Sequence, residues 1–311
     1  MKRNYRYNKD KVKNIKMARS IILFIVIAAF LVGGSALMAL KFSESKQTVQ
    51  AVEVNEEKNL EQSTKDDENS TYSLENDPRA EDVAFIEKYL NQQMKGQTPD
   101  GVDGKKVVYL TFDDGPSETV TPKILDILKE ENVRATFFLV GKAIDESEAN
   151  KNLVKREVTE GNAIGNHTYS HNYNYLYPNG NINVDNCMAD IEKTNQSLKN
   201  ILGQDFSTRA IRFPGGHMTW GKKDPKGMDA MDQALHDKDY HQVDWNALSS
   251  DAEGAPKKAE ELKKDVIKTV LGREKAIILM HDTYGKEETA KALPEVIKYL
   301  KEQGYEFKTL K

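Results

Sequence analysis

Apolar and polar positions alternate regularly along the carboxyl-terminal two-thirds of the chain. Short apolar runs rich in β-branched and aromatic residues, typical of buried strands, are separated by segments whose apolar positions recur at helical spacing. The predicted strands are residues 107–112, 135–140, 163–166, 210–213, 241–247, 276–280 and 305–310. The predicted helices are residues 120–131, 149–160, 186–202, 228–237, 257–271 and 287–303. This alternation predicts an α/β fold with a parallel sheet, open or closed into a barrel.

The amino-terminal end has a different pattern. Residues 21–40 carry no charge, and residues 1–20 hold eight Lys or Arg against one acid, Asp10. Twenty helical residues span about 30 Å, the thickness of a bilayer's hydrocarbon core. The alternative is a cleaved signal peptide, whose apolar stretch is usually about 7–15 residues long. We therefore predict a basic cytoplasmic tail at 1–20 and a single transmembrane anchor at 21–40, with the rest of the chain extracytoplasmic.

The segment after the predicted anchor is poor in apolar residues. Residues 41–70 are rich in Gln, Glu, Asp, Asn, Ser and Thr, too polar to bury a core, so they predict a flexible stalk. Apolar positions between residues 83 and 94 fall near a helical period and predict one short helix. The domain boundaries predicted from these patterns are a stalk with a short helix at 41–104 and a folded domain at 105–311.

Composition narrows the function classes. The net charge of −4 argues against a dedicated nucleic-acid binder, which normally carries a basic face. Cys187 is the only cysteine, so the chain forms no internal disulfide, and a small buried apolar residue is the expected role for this side chain. Nothing in the sequence indicates the oligomeric state.

Ionisable side chains collect where predicted strands end, and parallel strands place those ends on one catalytic rim. They are Asp113, Asp114, His167, His171, Arg212, Asp251 and His281. Two imidazoles four positions apart, with a carboxylate from another strand, suit a three-ligand catalytic metal site. His167 and His171 could instead be surface or packing histidines, and the Asp113–Asp114 pair could belong to an ordinary acidic turn. Both alternatives are weakened because the two motifs are expected on the same rim.

The adjacent carboxylates Asp113 and Asp114 point in opposite directions at a strand end, so one can bind metal while the other faces a bound water. A divalent cation lowers the pKa of that water toward about 7, and a nearby carboxylate can then take its proton. Arg212 is a candidate partner for such a carboxylate, the alternative being a surface ion pair. His281 is a candidate general acid, the alternative being a structural histidine.

Four motifs in this order resemble the polysaccharide deacetylases of carbohydrate esterase family 4, the NodB-homology domain. They are Thr-Phe-Asp-Asp-Gly-Pro at 111–116, His-Thr-Tyr-Ser-His at 167–171, Arg-Phe-Pro-Gly-Gly at 212–216 and Leu-Met-His at 279–281. The resemblance covers roughly residues 105–311 and implies a distorted (β/α) barrel with about seven strands. It also implies that Asp114, His167 and His171 bind a divalent metal, usually zinc and sometimes cobalt or another ion.

The resemblance further implies that Asp113 is the catalytic base, Arg212 its orienting partner and His281 the catalytic acid. Leu279 would help form the pocket for the acetyl methyl group. The backbone at Gly215, next to Pro214 at the substrate side, would stabilise the oxyanion together with the metal.

One motif departs from the family pattern Asp-x-x-Asp-Trp, in which the second Asp tunes the catalytic His. The aligned stretch here keeps Asp251 and lacks the Trp. An alternative alignment uses Asp244 and Trp245, but it places them within a predicted strand, too early for the rim. We therefore assign the role to Asp251, and the departure puts substrate preference in question more than metal binding.

An anchored domain outside the membrane would reach the cell wall, and relatives with this layout are typically peptidoglycan N-acetylglucosamine deacetylases. The expected activity is therefore hydrolysis of that N-acetyl group, with a cell-wall glycan as partner. A deacetylase of another polymer, such as a chitin oligomer, an exopolysaccharide or xylan, would have the same site. A surface adhesion or glycan-binding protein that has lost turnover is the alternative from another class.

Overall fold

The computed structural model of the chain describes Leu74 and residues 76–311. The predicted basic tail, the predicted anchor at 21–40 and most of the predicted stalk lie outside these residues. Within the described part, no helix combines the length and the apolar character needed to cross a bilayer.

Strands and helices alternate along the described residues. The strands are β1 Ala80–Glu81, β2 Val107–Asp113, β3 Thr136–Leu139, β4 Ala163–Asn166, β5 Ala210–Ile211, β6 His241–Gln242, β7 Ala247–Leu248, β8 Lys275–His281, β9 Glu306–Phe307 and β10 Thr309–Leu310. The helices are α1 Val83–Met94, α2 Thr121–Glu131, α3 Gly141–Asp145, α4 Glu148–Thr159, α5 Tyr173–Leu176, α6 Val184–Leu202, α7 His217–Lys223, α8 Pro225–His236, α9 Ala259–Val270 and α10 Glu287–Glu302, with a 3₁₀ turn at Pro178–Gly180.

Seven parallel strands form one continuous path in the order β6-β5-β4-β3-β2-β8-β7, and β9 adds to β2. Six spacings of about 4.8 Å would separate the edge strands β6 and β7 by about 29 Å in a flat sheet. Only four residues, Val243 to Asn246, connect these two edges, and such a connection spans at most about 18 Å. The sheet must therefore curl, which produces an α/β half-barrel and bears out the prediction of a parallel, barrel-like sheet.

Central strand β2 is buried on both faces, as expected for a parallel sheet covered by helices. Its side chains alternate between two clusters. Val108, Leu110 and Phe112 pack with apolar residues of α2 and α10 on the outer face. Tyr109 packs on the concave face with Phe138 of β3. Because alternate residues share a face, Thr111 and Asp113 follow Tyr109 to the concave side.

Helix α1 packs onto the concave-face cluster through Val83, Ile86 and Leu90. Just before it, β1 pairs in parallel with β10 at the carboxyl end of the chain. The folded domain therefore includes the segment from Ala80 onward, and the helix that we assigned to the stalk belongs to the domain instead of preceding it.

The predicted single strand at 241–247 is wrong, since β6 and β7 lie at opposite edges of the sheet. Polar side chains break the run: the Asp244 carboxylate accepts hydrogen bonds from the backbone N–H groups of His217 and Met218. The Asn246 side chain accepts from the backbone N–H of Ile277. The predicted strand at 305–310 likewise divides into β9, which pairs with β2, and β10, which pairs with β1.

The region 172–183, which the sequence indicates as a long surface loop, contains α5 and the 3₁₀ turn. Asn172 begins α5 by accepting a hydrogen bond from the backbone N–H of Asn174 on its side-chain oxygen, the usual role of Asn at a helix start. Cys187 on α6 is fully buried, and burial raises the pKa of its thiol to about 12. It therefore packs as an apolar residue.

Candidate active site

The two strands at the centre of the sheet bring ionisable side chains together. Asp113 ends β2 and His281 ends β8, and the two residues are direct partners in the parallel register. Register partners on adjacent strands face the same side of a sheet, so both point to the concave rim. Asp114, one residue after β2, has a left-handed backbone with φ +70°, which turns its side chain toward the neighbouring histidines.

Asp114 faces two imidazoles. Its Oδ1 lies 3.4 Å from Nε2 of His167 and 3.2 Å from Nε2 of His171. The ligand atoms of these three residues all lie within 4.8 Å of one another. Atoms that surround one tetrahedral zinc ion at about 2.0–2.1 Å lie about 3.3 Å apart, and the two distances from Asp114 to the imidazoles already match that spacing.

The Oδ1 atom of Asp114 supports the same assignment. It is buried and accepts no hydrogen bond from the described residues, although two imidazole nitrogens face it. Burial would raise the pKa of Asp114, but His167, His171 and His281 hold that pKa well below its usual value, so the carboxylate is ionised. A buried carboxylate oxygen without a partner beside two imidazoles is a donor set that suits a divalent cation.

Partners outside this trio orient the histidines. Nδ1 of His167 lies 2.7 Å from the carbonyl oxygen of Arg212, so it donates there and leaves Nε2 free toward Asp114. The loop that carries His171 is held by Asp190 of α6, whose Oδ2 accepts from the backbone N–H groups of Tyr169 and Ser170. The ligand geometry is therefore built into the fold.

Arg212 is fully buried and holds Asp113 in place. Its Nη1 donates to Asp113 Oδ1 at 2.8 Å and to Thr111 Oγ1 at 2.7 Å, and its Nε donates to the Val243 carbonyl at 2.8 Å. The guanidinium also lies over the ring of Phe138. This is a buried, multiply bonded ion pair and not a surface pair, so Asp113 has one fixed orientation.

His281 forms a second buried pair, with Asp251. Its Nδ1 lies 2.7 Å from Asp251 Oδ1, and the other Asp251 oxygen accepts from the His281 backbone N–H and from Thr289 Oγ1. Burial would lower the pKa of His281, but the hydrogen bond and charge of Asp251, followed by Asp113 and Asp114, raise it to about 9. The imidazole is therefore protonated at neutral pH.

Behind the rim, Gly115 leaves room for a buried carboxyl group. A Cβ at this position would come within 2.3 Å of Asp282 Oδ2, so only glycine permits the close approach. Asp282 accepts a hydrogen bond from Thr121, and burial raises the pKa of Asp282 to about 7. The glycine in the Asp-Asp-Gly-Pro run thus allows close packing behind the candidate metal ligands.

The remaining predicted site residues occupy the same rim. Leu279 lies two positions before His281 on β8, and Pro214 and Gly215 follow β5, with the Pro214 carbonyl accepting from Trp220 Nε1. A Cβ on Gly215 would lie 3.1 Å from the Tyr173 hydroxyl. The exposed Tyr173 ring is 5.7 Å from that of His171, so it borders the site.

Sequence reasoning missed several supporting side chains. The sequence marks Thr111 only as part of a motif, whereas in the structure it also donates to the Ile278 carbonyl. Asp190 and Thr289 were not singled out, because their contacts reach across 20 and 38 positions of the chain. Asp190 is an acidic residue on the buried face of the amphipathic helix α6, and an acid in such a position is the one sequence signal that marks a supporting residue of this kind.

Taken together, the rim holds a carboxylate paired with a buried arginine, a three-ligand metal candidate and a protonated imidazole paired with a carboxylate. A base and an acid on either side of an electrophilic centre can hydrolyse an acyl bond. This chemistry stands beside four sequence motifs and a half-barrel of parallel strands.

Comparison with known proteins agrees with it. The family model described as polysaccharide deacetylase matches residues 100–224. A Bacillus cereus protein named peptidoglycan-N-acetylglucosamine deacetylase is 36% identical over 215 residues, which is 68% of this chain and 69% of the relative.

Solved structures show the same fold. A CE4 esterase from Streptococcus mutans is 36% identical, with a TM-score of 0.66 over 75% of this chain and 92% of that one. The catalytic domain of a peptidoglycan N-acetylglucosamine deacetylase from Eubacterium rectale is 30% identical, with a TM-score of 0.59 over 70% of this chain and 94% of that one. The chain therefore belongs to the polysaccharide deacetylases, the NodB-homology enzymes of carbohydrate esterase family 4.

Proposed function

We propose that this enzyme hydrolyses the N-acetyl group of N-acetylglucosamine in cell-wall peptidoglycan and releases acetate, with a divalent metal held by Asp114, His167 and His171. One arrangement carries the proposal: Asp113 Oδ2 lies 3.8 Å from Nε2 of His167, and His281 Nε2 lies 3.9 Å from Asp114 Oδ2. A base and an acid thus flank one candidate metal site. The family and the names of its relatives support the choice of glycan.

Each residue has a defined part in this reaction. When bound, the metal supplies Lewis acidity to the acetyl carbonyl. Asp113, oriented by Arg212, takes a proton from the attacking water. The backbone N–H of Gly215 donates to the oxyanion that develops on the acetyl oxygen.

The leaving group and the acetyl methyl are handled on the other side of the rim. His281 gives its proton to the leaving amine nitrogen as the carbon–nitrogen bond breaks, so water and amide become acetate and a free amine. Asp251 positions His281 for that transfer. Leu279 and Pro214 border the space for the acetyl methyl group.

Zinc is the first choice for the metal, and cobalt is the next. Two imidazole nitrogens and one carboxylate oxygen match the usual ligands of catalytic zinc. Similar sites bind several first-row ions with overlapping affinity, so availability contributes to the choice.

We extend the proposal to the location of the enzyme. The uncharged segment 21–40 after a basic stretch supports a single-pass anchor with the catalytic domain outside the cytoplasm. Protease treatment of intact cells tests this part, because an external domain is cleaved while a cytoplasmic protein is protected.

The test of activity measures acetate released by the purified chain, free of metal and then loaded with zinc or cobalt. The substrates are peptidoglycan, N-acetylglucosamine oligomers and acetylated xylan. Asp113→Asn removes the base and His171→Gln removes a ligand, while Asp205→Asn on the surface is the matched control.

We expect metal-dependent acetate release from peptidoglycan, at least about a hundredfold slower in Asp113→Asn and unchanged in Asp205→Asn. Faster release from xylan would favour the other-polymer alternative. Stoichiometric metal binding without acetate from any glycan would contradict an enzymatic role and favour a glycan-binding surface protein.

A further inference from the structure

A second histidine–carboxylate cluster lies at the other end of the sheet. Glu87 comes from α1, His236 from the last turn of α8 and His241 from the first residue of β6. The catalytic side chains follow the carboxyl ends of the strands, whereas this cluster gathers at their amino ends. None of its members contacts the candidate active site.

The three side chains converge on one oxygen. Glu87 Oε2 lies 2.9 Å from Nε2 of His236 and 2.7 Å from Nδ1 of His241. The three ligand atoms lie within 4.8 Å of one another, the same closeness that the Asp114 site shows. A tetrahedral zinc ion needs about 3.3 Å between neighbouring ligand atoms, so an opening of about half an ångström would admit it.

The surrounding groups already resemble the outer shell of a metal site. The other ring nitrogen of His241, Nε2, lies 3.2 Å from Asp239 Oδ1, and Arg209 holds Asp239 through Nη2, which donates to the same oxygen at 3.0 Å. The backbone N–H of Gln242 donates to Glu87 Oε1, which leaves Oε2 to face the histidines. Histidine ligands commonly donate their second nitrogen to a carboxylate in this way.

Burial and access also suit a bound ion. The side chains of Glu87 and His241 are 7% and 14% exposed, so their charges are largely removed from water. His236 is 45% exposed and gives the cluster one open side for an ion to enter and for water to complete the coordination.

We propose that Glu87, His236 and His241 form a second divalent transition-metal site, of the zinc class, that fastens α1 to α8 and β6. It is independent of the proposed catalysis. The ion and the N–H protons that point at Glu87 compete for the same ring nitrogens, so zinc binding weakens as pH falls. The alternative is a cluster closed by those protons alone, which binds no metal.

The test counts zinc ions bound per full-length chain, purified in mild detergent without a histidine tag, by titration against a chromophoric zinc indicator. Asp114→Asn combined with His171→Gln removes the first site and defines the background chain. His236→Gln is added to this background because His236 is partly exposed and its replacement leaves the core intact.

We expect two equivalents of zinc in the unmodified chain, one in the background chain and none once His236→Gln is added. Glu87→Gln, which keeps the size of the side chain but loses the charge, should also remove the last equivalent. His217→Gln is the matched control: its ring pairs with Asp232, outside both clusters, so one equivalent should remain.

Melting temperature separates metal loss from misfolding. Zinc should raise the melting temperature of the background chain and leave that of the His236→Gln chain unchanged, while the two metal-free chains melt together. A background chain that binds no zinc, or one equivalent that persists after both His236→Gln and Glu87→Gln, overturns the second site.

Discussion

At the scale of single residues, Arg212 joins parts of the site that lie far apart in the chain. Its guanidinium donates to Asp113, Thr111 and the carbonyls of Val243 and Asp244, and its own carbonyl accepts from His167. A buried guanidinium is stable only when its donors are satisfied, and each of its three nitrogens has at least one of these partners. Lysine has no planar fork and could not make the same set of bonds.

The pair of Asp251 and His281 leads to a prediction about pH. A general acid must hold its proton, so kcat/KM should fall as pH rises through the His281 pKa of about 9. Asp251→Asn keeps the side-chain shape but removes the charge that raises this pKa. The alkaline limb should therefore move to lower pH by about 1–3 units. Acetate release between pH 6 and pH 10, with the same metal in both proteins, measures the shift.

Glu253→Gln is the control for that experiment, because it removes an exposed negative charge two positions away without touching His281. Its profile should match that of the unmodified enzyme. If Asp251→Asn lowers the rate equally at every pH, Asp251 only supports the structure and does not set the protonation of His281.

At the scale of elements, the sequence predicts a strand well when the residues of that strand determine it, and poorly when contacts from distant parts of the chain determine it. β2 is buried on both faces, so its sequence is a nearly continuous apolar run that predicts a strand. The motif that follows this run places Asp113 and Asp114 at the end of the strand. β6 and β7 have two residues each, and their separation is decided by Asp244 and Asn246, whose partners lie on α7 and β8. Such long-range contacts leave no periodic pattern.

The same distinction applies to the candidate site. Its ionisable groups sit in short motifs that follow strands, so the residues themselves could be predicted together. The orienting contacts of Asp190 and Thr289 come from helices distant in sequence, and only the folded chain brings them to the histidines.

Helix α1 provides a prediction at this scale, since the structure includes it in the folded domain. Ile86 is fully buried between α1 and the sheet. Ile86→Ala should lower the free energy of unfolding by about 2–5 kcal/mol, measured by urea denaturation. Met94→Ala at the exposed end of the same helix is the control, with an expected change within about 0.5 kcal/mol. Equal, small effects of both changes would mean that α1 is part of a stalk.

At the scale of the whole domain, a buried acid on helix α4 interacts with Asp282, the residue that follows β8. Glu157 of α4 is fully buried, and neither of its carboxylate oxygens has a hydrogen-bond partner among the described residues. Burial, with a contribution from Asp282, raises the pKa of Glu157 well above its usual value. The protein therefore holds a proton there that the unfolded chain would lose near pH 4.3.

This proton makes stability fall as pH rises. Below the pKa of the unfolded state both forms are protonated and Glu157 has no pH effect. Above it, the native state alone keeps the proton, which lowers the free energy of unfolding by up to about 1.4 kcal/mol per pH unit until the folded-state pKa is reached.

Glu157→Met keeps the length of the side chain and removes the carboxyl group. The variant should therefore be more stable than the unmodified chain at pH 8, with a smaller gain at pH 5. Urea unfolding across this range measures the difference, and Glu130→Met on the exposed face of α2 should show no such trend. A gain that is independent of pH, or a loss at pH 8, would mean that Glu157 is ionised and stabilised in the fold.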